Sequence, residues 1–238
     1  MAHPLDDLQI LRMNGAGNEI LVLDLRGSDH EVAPQEARAI ANAPGLRFDQ
    51  LMALHKPRRP GDDAFMRIYN VDGSFSAACG NGTRCVAYML AREGKNSLRL
   101  LTDAGLVETQ RRAETVFAVD MGRPRFDWRE IPLAHAIEET RAVALDPPVA
   151  GAPSPFAAVS MGNPHAIFFV DDAAQIDLET LGPRIETHPL FPQRVNVSFA
   201  QMLARDDILL RVWERGTGAT KACGSAACAT LVAAVRAE

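Results

Sequence analysis

The feature that most constrains this chain is an internal echo. Residues 67–80 read RIYNVDGSFSAACG and residues 211–224 read RVWERGTGATKACG. The segments align without a gap at an offset of 144: Arg67 with Arg211, Ile68 with Val212, Tyr69 with Trp213, Ser76 with Thr220, and Ala78-Cys79-Gly80 with Ala222-Cys223-Gly224. A second echo, Gly17-Asn18 and Gly162-Asn163, lies upstream at an offset of 145. Order and spacing are kept together, which favours a duplicated half over a shared strand-turn-helix habit. Each copy reads as strand, loop, Cys-Gly, helix. The echo predicts two similar domains, 1–120 and 121–238, related by a pseudo-twofold axis and each presenting one Cys-Gly helix start.

The local pattern is strand-rich. Ile20–Leu25, Ala64–Tyr69, Leu98–Leu101, Thr115–Met121, Ala166–Val170, Val195–Phe199 and Ile208–Trp213 are short, apolar or alternating, and bounded by Gly, Pro, Asn or Asp. Glu36–Ala43 reads as a surface helix. Asn81–Arg92 and Ser225–Ala237 are small and apolar on nearly every side, which predicts buried helices. The fold class expected is α+β.

Bulk properties narrow the function. The net charge of −5 argues against nucleic acid or an anionic membrane as a partner, because both demand a basic surface. No apolar run approaches the roughly 20 residues of a membrane helix. The start, Met1-Ala2-His3-Pro4-Leu5-Asp6-Asp7, lacks the basic and apolar regions of a signal peptide, so a cytoplasmic protein is expected. Four cysteines in 238 residues are too few for a disulfide scaffold. They matter as thiols or not at all.

Cys79 and Cys223 both precede Gly at a predicted helix start. Free N–H groups and the helix dipole there favour a thiolate over the thiol, whose reference pKa is about 8.5. The N–H groups of Gly80-Asn81 and Gly224-Ser225 suit an α-carboxylate, and Gly admits a close approach to backbone. If the domains face each other, an α-carbon lies between two sulfurs. One thiolate removes its proton and the opposite thiol delivers another, inverting the centre with no cofactor. Such a site must be closed and rich in donors, because the carbanion is costly. Cys85 and Cys228, inside the helices, read as small buried hydrophobes. The spacings C-x5-C and C-x4-C are not zinc hooks, so no metal is expected. Gly15-Ala16-Gly17 precedes its strand and lacks the third Gly of a dinucleotide loop, and Gly216–Lys221 is not a phosphate-binding loop. His165 sits in the upstream echo. Glu214-Arg215 is either a surface ion pair or a fork for a second carboxylate.

The motifs MNGAGNEI (13–20), FDQL (48–51), YNVDGS (69–74), ACGNGTRC (78–85), MGNPHAIFFV (161–170), RVNVSF (194–199) and RVWERGTGATKACGSAAC (211–228) together resemble the diaminopimelate epimerase family, over about residues 12–230. The resemblance implies interconversion of LL- and meso-diaminopimelate, with Cys79 and Cys223 as the acid–base pair. It implies substrate contacts from Asn18, Gln50, Asn70, Gly80, Asn81, Asn163, Asn196, Glu214, Arg215, Gly224 and Ser225, and support of the thiols by His165 and Glu214. It implies two domains, each a mixed sheet curled round a central helix, with the site in the cleft between them. No metal or pyridoxal phosphate is implied, and a homodimer is expected because several members form one. Asn14, Ala219 and Ala226 depart from the usual His, Glu and Gly. Family chains also continue past the last helix into further strands, whereas this sequence stops at Glu238; a missing tail is expected to leave sheet edges unpaired.

Three rivals remain. A proline or hydroxyproline racemase would share fold and cysteines, but Asn70, Asn196, Glu214 and Arg215 suit a substrate with a second amino-acid head. A thiol hydrolase or transferase pairing one Cys with His165 leaves the second Cys-Gly start unexplained. A relative that only binds its ligand is disfavoured by intact cysteines in both halves.

Overall fold

The structure, a computed structural model, describes residues 10–76 and 79–237. Ala78, part of the echo, and Met1–Asp7, used in the localisation reading, lie outside them. The chain divides into two compact units, Met1–Gly122 and Arg123–Glu238.

The first unit holds strands β1 (Ile10–Gly15), β2 (Asn18–Asp24), β3 (Gln50–His55), β4 (Ala64–Asn70), β5 (Ser97–Thr102), β6 (Gly105–Arg111) and β7 (Phe117–Asp120), with helices α1 (Pro34–Asn42) and α2 (Gly80–Ala91). The sheet order follows the sequence, β1 to β7. β2–β3 and β4–β5 are parallel and the other neighbours antiparallel. β1 and β2 are joined by the two-residue turn Ala16-Gly17, both at positive φ (55° and 101°), as a tight hairpin requires. Asn14 Oδ1 closes that turn by accepting from Gly17 N–H at 2.9 Å. The glycine cluster is therefore a hairpin device.

The middle of β2, Ile20–Leu23, is a continuous apolar run because both its faces are covered. Ile20 and Val22 join Met52, Leu54, Met66 and Ile68 in a cluster with Val86, Ala87 and Leu90 of α2. Leu21 and Leu23 point the other way, joining Leu51, Ala53 and Tyr69 in a cluster with Ala37 and Ile40 of α1. Successive side chains alternate faces, so a strand clad on both sides reads as a continuous hydrophobic run. α2 is buried over most of its circumference.

The second unit repeats this plan. It holds β8 (Ala157–Ser160), β9 (Pro164–Phe169), β10 (Asn196–Ala204), β11 (Asp207–Glu214) and β12 (Gly218–Thr220), with α3 (Leu178–Glu186) and α4 (Gly224–Ala237). The sheet order is β12-β11-β10-β9-β8. β8–β9 is antiparallel, β9–β10 parallel across α3, and β10–β11 antiparallel, as for β1–β2, β2–β3 across α1, and β3–β4. Registers correspond too: Ile20, Gln50 and Asn70 are partners in one sheet, and His165 is opposite Asn196 in the other. Three Phe rings, Phe156, Phe168 and Phe199, pack with Leu178, Leu181 and Ile185 of α3.

Two helix expectations need correction. α3 was not foreseen: it is short, with Gly182-Pro183 in its interior. Gly182 is required there, because a Cβ would lie 2.4 Å from the Trp213 ring. α4 is also not buried all round. It packs on β8, β9 and β10 through Ala226, Ala229, Thr230 and Ala233, while Leu231 and Val235 are exposed. Apolar composition on every side predicts a covered helix only where further elements pack on it. In the first unit α2 also contacts β5, β6 and β7. Among the described residues no helix is long and apolar enough to cross a membrane.

Candidate active site

In each unit the candidate residues collect at one edge of the sheet, where two parallel strands begin, an antiparallel strand ends, and a helix starts. In the first unit Asn18 and Gln50 open β2 and β3, Asn70 closes β4, and Cys79 caps α2. Cys79 has extended backbone (φ −146°, ψ 96°), and its Sγ accepts from Gly82 N–H at 3.1 Å. The sulfur thus does what a Ser or Asp oxygen does at an N-cap, and an N–H aimed at sulfur favours the thiolate. Thr83 Oγ1 donates to the Cys79 carbonyl at 2.8 Å. A Cβ on Gly82 would lie 2.5 Å from Met52 Sδ and 3.2 Å from Cys79 Sγ, so glycine is what lets the thiol fold back onto the helix. Arg84 donates to Asn81 Oδ1, and Asn81 donates to Asn18 Oδ1. Gln50 Nε2 and Asn70 Oδ1 are 3.4 Å apart, and Asn70 Nδ2 reaches Ser74 Oγ at 3.0 Å.

In the second unit Cys223 precedes α4, and its carbonyl accepts from Ala227 N–H at 3.0 Å. Its environment overturns the expectation that a helix start lowers the thiol pKa. Burial pushes Cys223 up to about 12, and the Glu214 carboxylate beside it pushes the same way; bonds from Ser225 and from the Ala226 N–H oppose them. The dipole is outweighed because removing a thiolate from water costs more than one helix end returns. Glu214 Oε1 also accepts from Thr220 Oγ1 at 2.6 Å.

A polar chain leads away from Cys223. Its Sγ is 3.5 Å from Ser225 Oγ, which accepts from Asn163 Nδ2 at 3.2 Å, and Asn163 Oδ1 lies 3.0 Å from His165 Nε2. An amide oxygen only accepts, so His165 Nε2 carries a proton in this arrangement. Burial, followed by the Arg215 charge, pushes the His165 pKa down to about 3. Its Nδ1 is buried without a hydrogen-bond partner. His165 is thus linked to Cys223 through two intervening side chains, Asn163 and Ser225.

Asn196 opens β10 and ties the start of β9 to the turn after β11. Its Nδ2 donates to Pro164 O at 2.8 Å, and its Oδ1 accepts from Arg215 N–H at 3.0 Å. Arg215 is half-buried, its pKa lowered chiefly by burial and partly restored by Glu186. Glu186, which the sequence did not single out, is buried and accepts from Trp213 Nε1–H at 2.7 Å and Gly216 N–H at 2.9 Å. No local pattern marks it, since its partners lie 27 and 30 residues away. Thr220 was likewise missed. Cys85 is buried, and burial raises its thiol pKa to about 11, as befits a packing residue; Cys228 is only half-buried. Among the described residues no cluster of three or more His, Cys, Asp or Glu could hold a metal ion.

A family model described as diaminopimelate epimerase matches residues 11–126 and 157–238. A diaminopimelate epimerase of Methylorubrum populi is 57% identical over 98% of this chain and 82% of its own length. One from Rhodopseudomonas palustris is 54% identical over 94% of this chain and 78% of its own. Among solved structures, a probable proline racemase from Agrobacterium radiobacter superposes with a TM-score of 0.63 at 18% identity, covering 97% of this chain and 78% of that one. A phenazine biosynthesis protein of the PhzF family from Bacillus anthracis gives 0.58 at 16% identity, covering 95% and 77%. At such identities the structures speak for the fold alone: two similar α+β units, each a mixed sheet curled about a helix. With the matched segments carrying both Cys-Gly helix starts, the chain belongs to the diaminopimelate epimerase family.

Proposed function

We propose that this protein is an epimerase interconverting LL- and meso-2,6-diaminopimelate, with Cys79 and Cys223 working from opposite faces of one α-carbon and no cofactor taking part. The observation that carries the reading is the repeated half-site: two topologically equivalent sheet edges, each presenting a cysteine at the start of a helix. A nucleophilic thiol enzyme needs one such place. Inversion at carbon needs two.

In this reading the Cys79 thiolate, held by Gly82 N–H, abstracts the α-proton, and Cys223 enters as the thiol that delivers one. The electron pair left on carbon is stabilised through the substrate carboxylate, which takes the N–H groups at the starts of α2 and α4. Asn18, Gln50, Asn70, Asn81, Asn163, Asn196 and Ser225 supply the remaining polar contacts, and Glu214 and Arg215 meet the distal amino-acid head. In the reverse direction the two sulfurs exchange roles. His165 serves as a neutral group that orients Asn163, and through it Ser225, so that the Ser225 hydroxyl is free to donate to sulfur. The same reading places the enzyme in the cytoplasm, acting on a small substrate with two carboxylates in the supply of lysine and cell-wall peptide, as a homodimer.

A Cys–His hydrolase is disfavoured within the second unit, because His165 turns its Nε2–H to Asn163 and its pKa, pushed down to about 3, makes it a weak base for a thiol. A proline racemase fits the fold equally well, but the relatives at 54–57% identity are diaminopimelate epimerases. The test is chiral chromatography of LL-diaminopimelate and L-proline after incubation in heavy water. Turnover of the first only is expected, with deuterium at the inverted carbon of early product while residual substrate stays protiated. Turnover of proline, or product that retains the original hydrogen, would overturn the assignment.

A further inference from the structure

The two half-sites hold the turn after their last long strand by different means, and the difference singles out one residue. In the first unit the turn after β4 carries its own acid, and one outside donor, Arg38 of α1, reaches the Asp72 carbonyl at 3.3 Å; its closing backbone bond has a counterpart in the second unit, Thr217 N–H to Glu214 O at 3.0 Å. Asp72 Oδ1 accepts from Ser74 N–H at 2.9 Å and from Ser74 Oγ at 2.6 Å, and Gly73 N–H reaches Asn70 O at 2.9 Å. Tyr69, the last inward aromatic of β4, anchors its hydroxyl on the Val32 carbonyl.

The equivalent turn after β11, Arg215-Gly216-Thr217, has no acidic residue of its own. Its two leading N–H groups are instead accepted by side chains from two other elements: Arg215 N–H by Asn196 of β10, and Gly216 N–H by Glu186 of α3. Trp213, the counterpart of Tyr69, donates its indole N–H to the same carboxylate. Glu186 is 6% exposed and ends its helix, where the dipole disfavours an anion. A carboxylate is stable in such a place only if several donors converge on it. Two do at hydrogen-bond distance, and the Arg194 guanidinium stands 3.6 Å away. The half-buried Arg215 also feels its charge, which offsets part of the cost of burying that guanidinium.

We infer that Glu186 is a positioning residue for substrate recognition: it holds the Arg215 turn, and supplies the counter-charge that keeps Arg215 poised for the distal carboxylate of the substrate. The inference rests on the diaminopimelate reading, since it needs Arg215 to grip that carboxylate. Glu186 touches neither substrate nor thiol. Its loss should therefore appear in KM more than in kcat.

The experiment measures epimerisation of LL-diaminopimelate by wild type, Glu186→Gln, Arg215→Lys and the double variant. Glu186→Gln is expected to raise KM about tenfold with kcat changed by less than about threefold, and the double variant to be no worse than Arg215→Lys within about twofold, because both changes act through one guanidinium. A folded Glu186→Gln enzyme with wild-type KM, or effects that multiply in full, would overturn the inference. An Arg215→Lys enzyme with wild-type KM would instead remove the parent reading of Arg215. Should Glu186→Gln not fold, Trp213→Phe keeps the ring against Gly182 and deletes one donor to the carboxylate. A KM raised about threefold at near-constant kcat supports the role, and an unchanged KM refutes it.

Discussion

Cys79 and Cys223 occupy the same place in two copies of one plan, yet their surroundings differ. Cys79 folds back on its helix, takes the Gly82 N–H, and rests near Met52. Cys223, likewise half-buried, has the Glu214 carboxylate and Ser225 hydroxyl as neighbours and is held as a thiol by burial and by the Glu214 charge. Duplication provides two equivalent positions, whereas catalysis by proton exchange wants one group charged and the other neutral at any moment. Divergence of neighbours, with the backbone kept, gives two identical side chains different electrostatic surroundings. The strand faces beneath the two helices diverge in the same sense. By register, Ile20 in the first sheet corresponds to His165 in the second, and Met52 to Ser198.

The comparison breaks most sharply if either cysteine is dispensable. Cys79→Ala and Cys223→Ala are each expected to lower the epimerisation rate by about 10²–10⁴-fold, the usual worth of a general acid or base. Retention of more than about a tenth of wild-type rate by either variant, followed by chiral chromatography, would end the two-thiol account.

Acid should act on the second half through His165. Its folded pKa, about 3, lies below the ordinary 6.5. The associated stability is thus present above pH 6.5 and is lost as pH falls toward 3, on the order of 5 kcal/mol in all. Urea unfolding followed across that range should show the decline, and His165→Gln should flatten it. An imidazole that titrates by NMR between pH 6 and 7 would contradict a neutral anchor.

The helix starts themselves can be exchanged. Gly82→Ala gains about 1 kcal/mol of helix propensity but forces a methyl onto fully buried Met52, an overpacking cost of about 1–3 kcal/mol. A net loss of about 1 kcal/mol and a displaced Cys79 are expected. Ala226→Gly, the reciprocal change, should cost about 1.5–2 kcal/mol, through propensity and the loss of a fully buried methyl. Equal losses of stability and equal effects on turnover would mean that the two starts are packed alike.

The smallest effect concerns thiol reactivity. Removing the Glu214 charge lowers the Cys223 pKa, so Glu214→Gln should speed alkylation of Cys223 at pH 8 by about tenfold, while Ser225→Ala should slow it. Mass spectrometry of iodoacetamide-treated protein reads both. Faster alkylation of Cys223 in Ser225→Ala would reverse the assigned direction of that hydrogen bond.

How much of this could be read from residues alone follows from what each element rests on. β2, β4, β9 and β11 were legible because their apolar runs are bounded by turn residues, and the echo placed both thiols at helix starts before any coordinates. β1, β3 and β8 escaped notice. Gln50–His55 shows little of the β-branched composition that marks a strand, and becomes one because β2 and β4 flank it. α3 escaped because Gly182 and Pro183 argue locally against a helix, and only the Trp213 ring explains the glycine. The polar residues around the site were found by type and by resemblance. Which of them touch was not, because His165, Asn163 and Ser225 are joined across 62 positions of sequence. The high pKa of Cys223 lay beyond reach for a related reason: burial depends on the whole unit, and a helix start is only one local term.

Among the described residues each sheet is built from strands of its own unit. All seven strands of the first sheet lie before Gly122, so by the time that residue is synthesised every backbone partner the sheet uses already exists. N-terminal units of a nascent chain generally fold first. The order of synthesis then has a chemical consequence. A folded first half presents the Cys79 thiol on its capped helix while the second half is still on the ribosome, and for that interval the newborn chain carries one Cys-Gly helix start without its counterpart.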